Sequence, residues 1–262
     1  MRDHGRDEPA FNAASIGERA GRLLPDFRRA IDALPREAGF KGIGPRGMFF
    51  FYAAVRPLGP RQILESGRMR GESTLMLARC FPQARIVSVE LDLDKGHAAI
   101  AEAKLRPYAN VELLYGDSRA ILPQRLQTGD AVLIDGPKEF RALKLALQLL
   151  ATGKPCAVFI HDFYRGQPAR KFVERYWPGA FFSDDPELAA PFRELGSQID
   201  PAYDPHSKHT TSPFVCLPWK LPASYPFLFF EIIWARAISI AVSKLAKLLP
   251  HNRRGKSSDA AG

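Results

Sequence analysis

The chain has 262 residues, 46% of them hydrophobic and 25% charged, with 18 Phe available to fill a core. That composition excludes disordered, collagen-like and disulfide-scaffold classes, and suits one folded core with or without an appendage. A net charge of +9 favours an anionic partner without choosing among nucleic acid, acidic lipid and a phosphorylated substrate.

Residues 1–43 read as a polar N-terminal extension, with a helix near 24–33 and a mobile first dozen residues. Segment 47–57 predicts a helix stopped by Pro57, which lacks an amide donor and clashes with the preceding turn. Short apolar runs then alternate with longer helical ones. Strands are expected at 62–66, 85–90, 110–116, 131–136 and 155–162, and helices at 72–80, 94–105, 118–125, 138–152 and 168–177. The strand candidates are nearly continuous in Ile, Val and Leu, the pattern of a parallel sheet covered on both faces. Five successive strand–helix units indicate a Rossmann-like, doubly wound α/β fold with a mostly parallel sheet and helices on both faces. Residues 191–198 and 212–219 are candidates for two further strands, joined by a turn-rich surface lid that carries His206 and His209. The expected organisation is an extension at 1–43, a domain at 44–220, an amphipathic helix within 221–250 and a disordered basic tail at 251–262.

Polar residues recur where these strands end. Gly67 can turn tightly or admit a ligand, and Gly71 can start the next helix close to it. Glu90 ends the second strand, where a carboxylate can accept two hydrogen bonds from a ribose diol. Asp117 and Ser118 follow the third strand and can meet an adenine edge. Asp135 follows the fourth strand, and His161 and Asp162 the fifth. Any one of these acids can be a simple helix cap. The series as a whole points to a nucleotide cleft at the carboxyl edge of the sheet. The segment from Glu65 to Gly71 is neither a GxGxxG fingerprint nor a phosphate-binding P-loop.

On these residues, roughly 45–165 resembles the class I S-adenosylmethionine-dependent methyltransferases. The resemblance implies a seven-stranded sheet, methyl-transfer activity and S-adenosyl-L-methionine as cofactor. It also implies that Glu65 and Gly67 form the first glycine-rich motif, with Gly71 and Ser73 at its helix start. Glu90 would hold the ribose, Asp117 and Ser118 the adenine side, and Asp135 would lie near the methyl group and acceptor. Arg68, Met69 and Arg70 depart from the family's small residues. The two cations either grip a carboxylate or project outwards. The rival readings are a non-catalytic cofactor-binding or scaffold protein and another nucleotide-dependent transferase.

Methyl transfer to oxygen needs an aligned acceptor and a group to take its proton. His161, Asp135 and Asp162 are the catalytic candidates, since an imidazole can serve as base or merely fix its loop. Asp135 and Asp162 also make Mg²⁺ a candidate cofactor. Lys138, Tyr164 and Arg165 are expected to form a rim for an anionic acceptor, either a small molecule or a lipid-linked one. Nucleic acid is disfavoured because no recognition module accompanies the charge.

Residues 225–249 form a long apolar helix candidate interrupted by Glu231, Arg236, Lys244 and Lys247. Arg236, Ser239, Ser243 and Lys247 fall in one narrow sector of its helical wheel. The segment has the length to span a membrane, at the cost of Arg236 near its middle. It can instead lie on an anionic membrane surface, or pack on the body or a homodimer partner. Three well-separated cysteines and no apolar export segment lead to the expectation of a cytoplasmic protein, peripheral at the membrane if this helix binds lipid.

Overall fold

The computed structural model describes residues 13–32, 34, 42–91, 94–199, 213–217, 221 and 225–248. The expected lid with His206 and His209, the first dozen residues and the tail at 251–262 lie outside them. Helix α1 (Ala13–Ile31) begins well before the expected 24–33. Its Ile16, Ala20, Leu24 and Phe27 repeat at helical spacing and are buried. Helix α2 (Pro45–Val55) opens on a proline and buries every residue from Gly47 to Val55. Phe49 meets Phe27 of α1, while Phe50 and Phe51 meet Phe159. This helix is apolar all round because it is enclosed all round. It runs into a 3₁₀ turn at Arg56–Leu58, and Gly59 in the left-handed region turns the chain away.

The alternating units follow as expected. They are β1 (Gln62–Ser66), α3 (Glu72–Cys80), β2 (Arg85–Glu90), α4 (Lys95–Leu105), β3 (Val111–Tyr115), α5 (Ser118–Arg125) and β4 (Ala131–Ile134). Next come α6 (Phe140–Leu150), β5 (Ala157–Ile160), α7 (Pro168–Tyr176), β6 (Phe181–Phe182) and α8 (Pro186–Glu194). A short α9 (Gly196–Ile199), β7 (Val215–Leu217) and α10 (Tyr225–Leu248) complete the described chain. The seven strands lie in the order β3-β2-β1-β4-β5-β7-β6. Strands β1 to β5 pair parallel, and β7 runs antiparallel between β5 and β6.

Alternate residues of each strand serve opposite cores. Ile63, Ile86, Leu133 and Phe159 pack with α1, α2 and α3, whereas Leu64, Val87, Val132 and Val158 pack with α6 and α7. Both faces are therefore dry, which explains the near-continuous apolar runs.

One expectation fails here. Residues 191–198 are not a strand but belong to α8 and α9, and the sixth strand is Phe181–Phe182. Pro186 suits a first helical turn. Leu188, Phe192, Leu195 and Ile199 then recur every three or four residues against the first core. That helical period outweighs the short apolar look of the segment.

Candidate active site

The chain order reverses between β1 and β4, which neighbour each other while β2 and β5 continue outwards on either side. Open α/β sheets hold ligands at such a switch point. The two strand ends touch closely here. Asp135 and Gly136 both donate their amides to the Ser66 carbonyl at 2.7 Å. Gly67 has φ +87°, and a Cβ on it would lie 2.5 Å from the Gly136 nitrogen. Only glycine fits that position, so its role is a close approach between two backbones as much as space for a ligand.

A cavity of about 1120 Å³ opens above this junction. Ser66, Gly67, Glu90, Asp117 and Ser118 line one side of it, and Gly136 to Arg141 another. Its outer wall is α10, through Arg236, Ser239, Ile240 and Lys244. Glu90 is held firmly. Its Oε2 accepts the amides of Arg68 (2.8 Å) and Met69 (2.6 Å), and its Oε1 the amide of Leu91 (2.8 Å). Asp117 caps α5 through the Arg119 amide at 2.9 Å. Its carboxyl lies below the usual range, chiefly because the Arg119 side chain bonds to it. Ser118 is buried, and its hydroxyl bridges to that of Ser66 at 2.8 Å.

Glu65, Gly71 and Ser73 lie beneath the cavity rather than on its wall. Glu65 is fully buried, and its Oε2 accepts the hydroxyls of Thr74 and Ser88. Among the described residues its Oε1 has no partner at hydrogen-bonding geometry. Burial pushes this carboxyl up, against the hydrogen bonds from Ser73, Ser88 and Thr74 and the charge of Arg68. A raised carboxyl favours the fold below its unfolded value near pH 4.5, and that contribution is lost as pH rises through the folded value. Glu65→Gln is therefore expected to flatten the alkaline-side decline and melt higher than the wild type at pH 8. Equal melting temperatures of the two proteins at pH 8 would reject this account.

Arg68 does neither of the things the sequence suggests. It is buried and runs inwards, donating to the carbonyls of Ser88 (2.6 Å) and Leu114 (3.3 Å), with its guanidinium 4.7 Å from the Tyr115 ring centroid. It thus ties the glycine loop to β2 and β3. Only three described non-glycine residues have positive φ, namely Met69, Glu139 and Asp162. They follow β1, β4 and β5 respectively, and Glu139 lines the cavity. Such backbone strain persists only where the surroundings over-determine it, and it concentrates at functional sites.

Asp135, His161 and Asp162 do come together, and Lys138 joins them. Asp135 Oδ1 is 2.8 Å from His161 Nδ1 and 2.6 Å from Lys138 Nζ. Lys138 also reaches Asp162 Oδ2 at 2.6 Å, and the Tyr164 hydroxyl donates to Asp162 Oδ1 at 3.2 Å. The His161 ring is buried against Phe214, with centroids 4.8 Å apart. Burial alone would raise Asp135, but the bond and charge of His161 and the charge of Lys138 hold it below its ordinary value. Burial alone would lower Lys138, but Asp135 and Asp162 push it up. Arg165 takes another partner, Asp184 at 3.0 Å, and does not join Lys138 and Tyr164 around Asp162. Gly136, Arg141, Arg236 and Lys244 are cavity residues that the sequence reading did not single out as site residues.

Residues 64–163 match a family model described as a methyltransferase domain. That span is similar to a methyltransferase domain and lies on a Rossmann-like, mostly parallel seven-stranded sheet. The matched span holds the carboxyl ends of β1 to β5 and every candidate from Glu65 to Asp162. The methyltransferase fold recurs in an S-adenosylmethionine-dependent O-methyltransferase from Thermotoga maritima, 15% identical with a TM-score of 0.52, covering 74% of this chain and 72% of that one. An O-methyltransferase from Bacillus cereus in complex with SAH is 20% identical, with a TM-score of 0.46 over 75% of this chain and 90% of that one. Comparison with curated proteins gave no match. The Gly67–Gly136 contact leaves no side chain over the strand junction, a fixed carboxylate stands at the end of β2, and one cavity joins these to Ser118.

Proposed function

We propose that the protein methylates an oxygen atom of a small or lipid-linked acceptor. The observation that carries this reading is the cluster in which Lys138, a cavity residue, is bonded to both Asp135 and Asp162, with His161 behind Asp135. An alcohol or phenol acceptor must lose its proton as the carbon–oxygen bond forms, and such a group of acids, amine and imidazole can orient and deprotonate it. S-adenosylmethionine would rest against Gly67, Glu90 and Ser118 and supplies, when bound, an electrophilic methyl group whose sulfur departs as a neutral thioether.

Lys138 is held as an ammonium by two carboxylates and is thus no base. It can donate to the acceptor oxygen and stabilise the charge that develops there. Asp135 holds His161 with Nδ1 as the donor, which leaves Nε2 as the acceptor nitrogen of the ring. His161 then takes the proton, and Asp162 with Tyr164 positions the acceptor hydroxyl.

Asp135, His161 and Asp162 each offer one ligand atom, all within 4.8 Å, to a metal ion. Lys138 already brings a positive charge 2.6 Å from each carboxylate, so a divalent ion would compete with it. Calorimetry with S-adenosylmethionine and S-adenosylhomocysteine tests the cofactor, and a mass gain of one methyl group in a metabolite or lipid extract tests the reaction. Binding of both nucleosides with no methylated product would favour a scaffold, and binding of neither would end the reading.

A further inference from the structure

Helix α10 has two unlike sides. Leu228 and Ile232, 2% and 1% exposed, pack into the second core beside α6. On the opposite side Phe227, Phe230, Trp234 and Ile238 follow one another at spacings of three, four and four, which places them in one line along the helix. Phe227 is 73% exposed and Trp234 70%. Between the two sides runs a basic flank. Arg236 and Lys244 line the cofactor cavity with Ser239, and Arg141 of α6 joins them there. Among the described residues none of these three cations has an acidic partner within ion-pair distance.

Two occupants compete for the aromatic line. Pairing with a second α10 would set like charges side by side, since Arg236, Lys244 and Lys247 outnumber the single acid Glu231 along this segment. An anionic bilayer complements both features at once, because rings enter the interface while cations meet headgroups. No described helix is long and apolar enough to cross a membrane, so the helix would lie along the surface.

We propose that α10 is an interfacial helix that docks the protein on an anionic bilayer through Phe227, Phe230, Trp234 and Ile238, and presents Arg236 and Lys244, with Arg141, to the phosphate of a membrane lipid that is the methyl acceptor. The lipid part rests on the methyl-transfer reading above, whereas the docking part does not. One helix would border both the bilayer and the cavity, so a headgroup hydroxyl can reach Lys138, which lines that cavity, while its acyl chains stay in the membrane.

Flotation of the full chain tests the docking, with vesicles of phosphatidylcholine alone or mixed with phosphatidylglycerol. The protein is expected to float with the mixed vesicles and not with the neutral ones. The double variant Phe227→Ser, Trp234→Ser should lower the vesicle-bound fraction about tenfold or more while keeping S-adenosylhomocysteine affinity and melting temperature unchanged. Calorimetry with monomeric dihexanoyl phosphatidylglycerol tests the phosphate site. Arg236→Gln with Lys244→Gln should abolish that binding, and the aromatic double variant should retain it. Wild-type protein absent from both lipid fractions overturns the docking. A dimer that the aromatic variant dissolves, without flotation, assigns the face to a second copy instead. Unchanged binding of the soluble lipid to the Arg236→Gln, Lys244→Gln protein overturns the phosphate site. If S-adenosylhomocysteine fails to bind while flotation holds, the methyl-transfer reading fails and the docking stands.

Discussion

Asp135→Asn is expected to lower kcat by about 10²–10⁴-fold while leaving S-adenosylhomocysteine affinity within a factor of about three. The reason lies in what Asp135 accepts. Its Oδ1 receives both His161 Nδ1 and Lys138 Nζ. An asparagine amide can present a donor to Nδ1 and so force the opposite imidazole tautomer, which removes the acceptor nitrogen that the proposed proton transfer uses. It also removes half of the charge that holds Lys138 as an ammonium beside the cavity. A kcat within about threefold of wild type would show that the cluster is only structural. The neighbouring test is Lys138→Met with and without EDTA. If Lys138 supplies the positive charge, EDTA leaves the wild type active and the variant is slow in every buffer. Activity that EDTA abolishes and Mg²⁺ restores would give the role to a metal.

The pH behaviour of this cluster follows from its two directions of shift. Asp135 lies below its ordinary value, so its contribution to stability is present above the unfolded aspartate value and is lost as pH falls through the folded one. Lys138 lies above its ordinary value, so its contribution is present below the unfolded lysine value and is lost as pH rises through the folded one. Both groups stay ionised across neutrality. A limb of the activity profile between pH 6 and 8 would therefore belong to neither of them.

Glu90→Ala should weaken S-adenosylhomocysteine binding by roughly 30- to 1000-fold, the equivalent of about 2–4 kcal/mol for two charge-assisted hydrogen bonds. Part of that loss would come from the loop, because Arg68, Met69 and Leu91 would lose the carboxylate that accepts their amides. Glu90→Gln separates the two contributions. Its carbonyl oxygen can still accept loop amides, so melting temperature should recover further than affinity does. Undiminished affinity in both variants would place the ribose elsewhere in the cavity.

Much of this protein was decided locally. Continuous Ile, Val and Leu runs separated by helical periods set the order from β1 to α7, because burial on both faces of a sheet leaves no room for alternation. The same periodicity marked where each strand ends, and hence put Gly67, Glu90, Asp117, Asp135 and His161 on one edge. Side-chain direction was decided at a distance. Arg68 turns inwards because the Ser88 and Leu114 carbonyls lie within its reach. Lys138 joins the site because Asp162, 24 positions later, closes the other side of its ammonium. Arg165 stays out of the Lys138 cluster because Asp184 draws it away. The basic stripe of α10 shows in the sequence as a helical sector. That Arg236 and Lys244 border the cavity depends on Leu228 and Ile232 finding the core beside α6, a packing choice that no short-range pattern encodes.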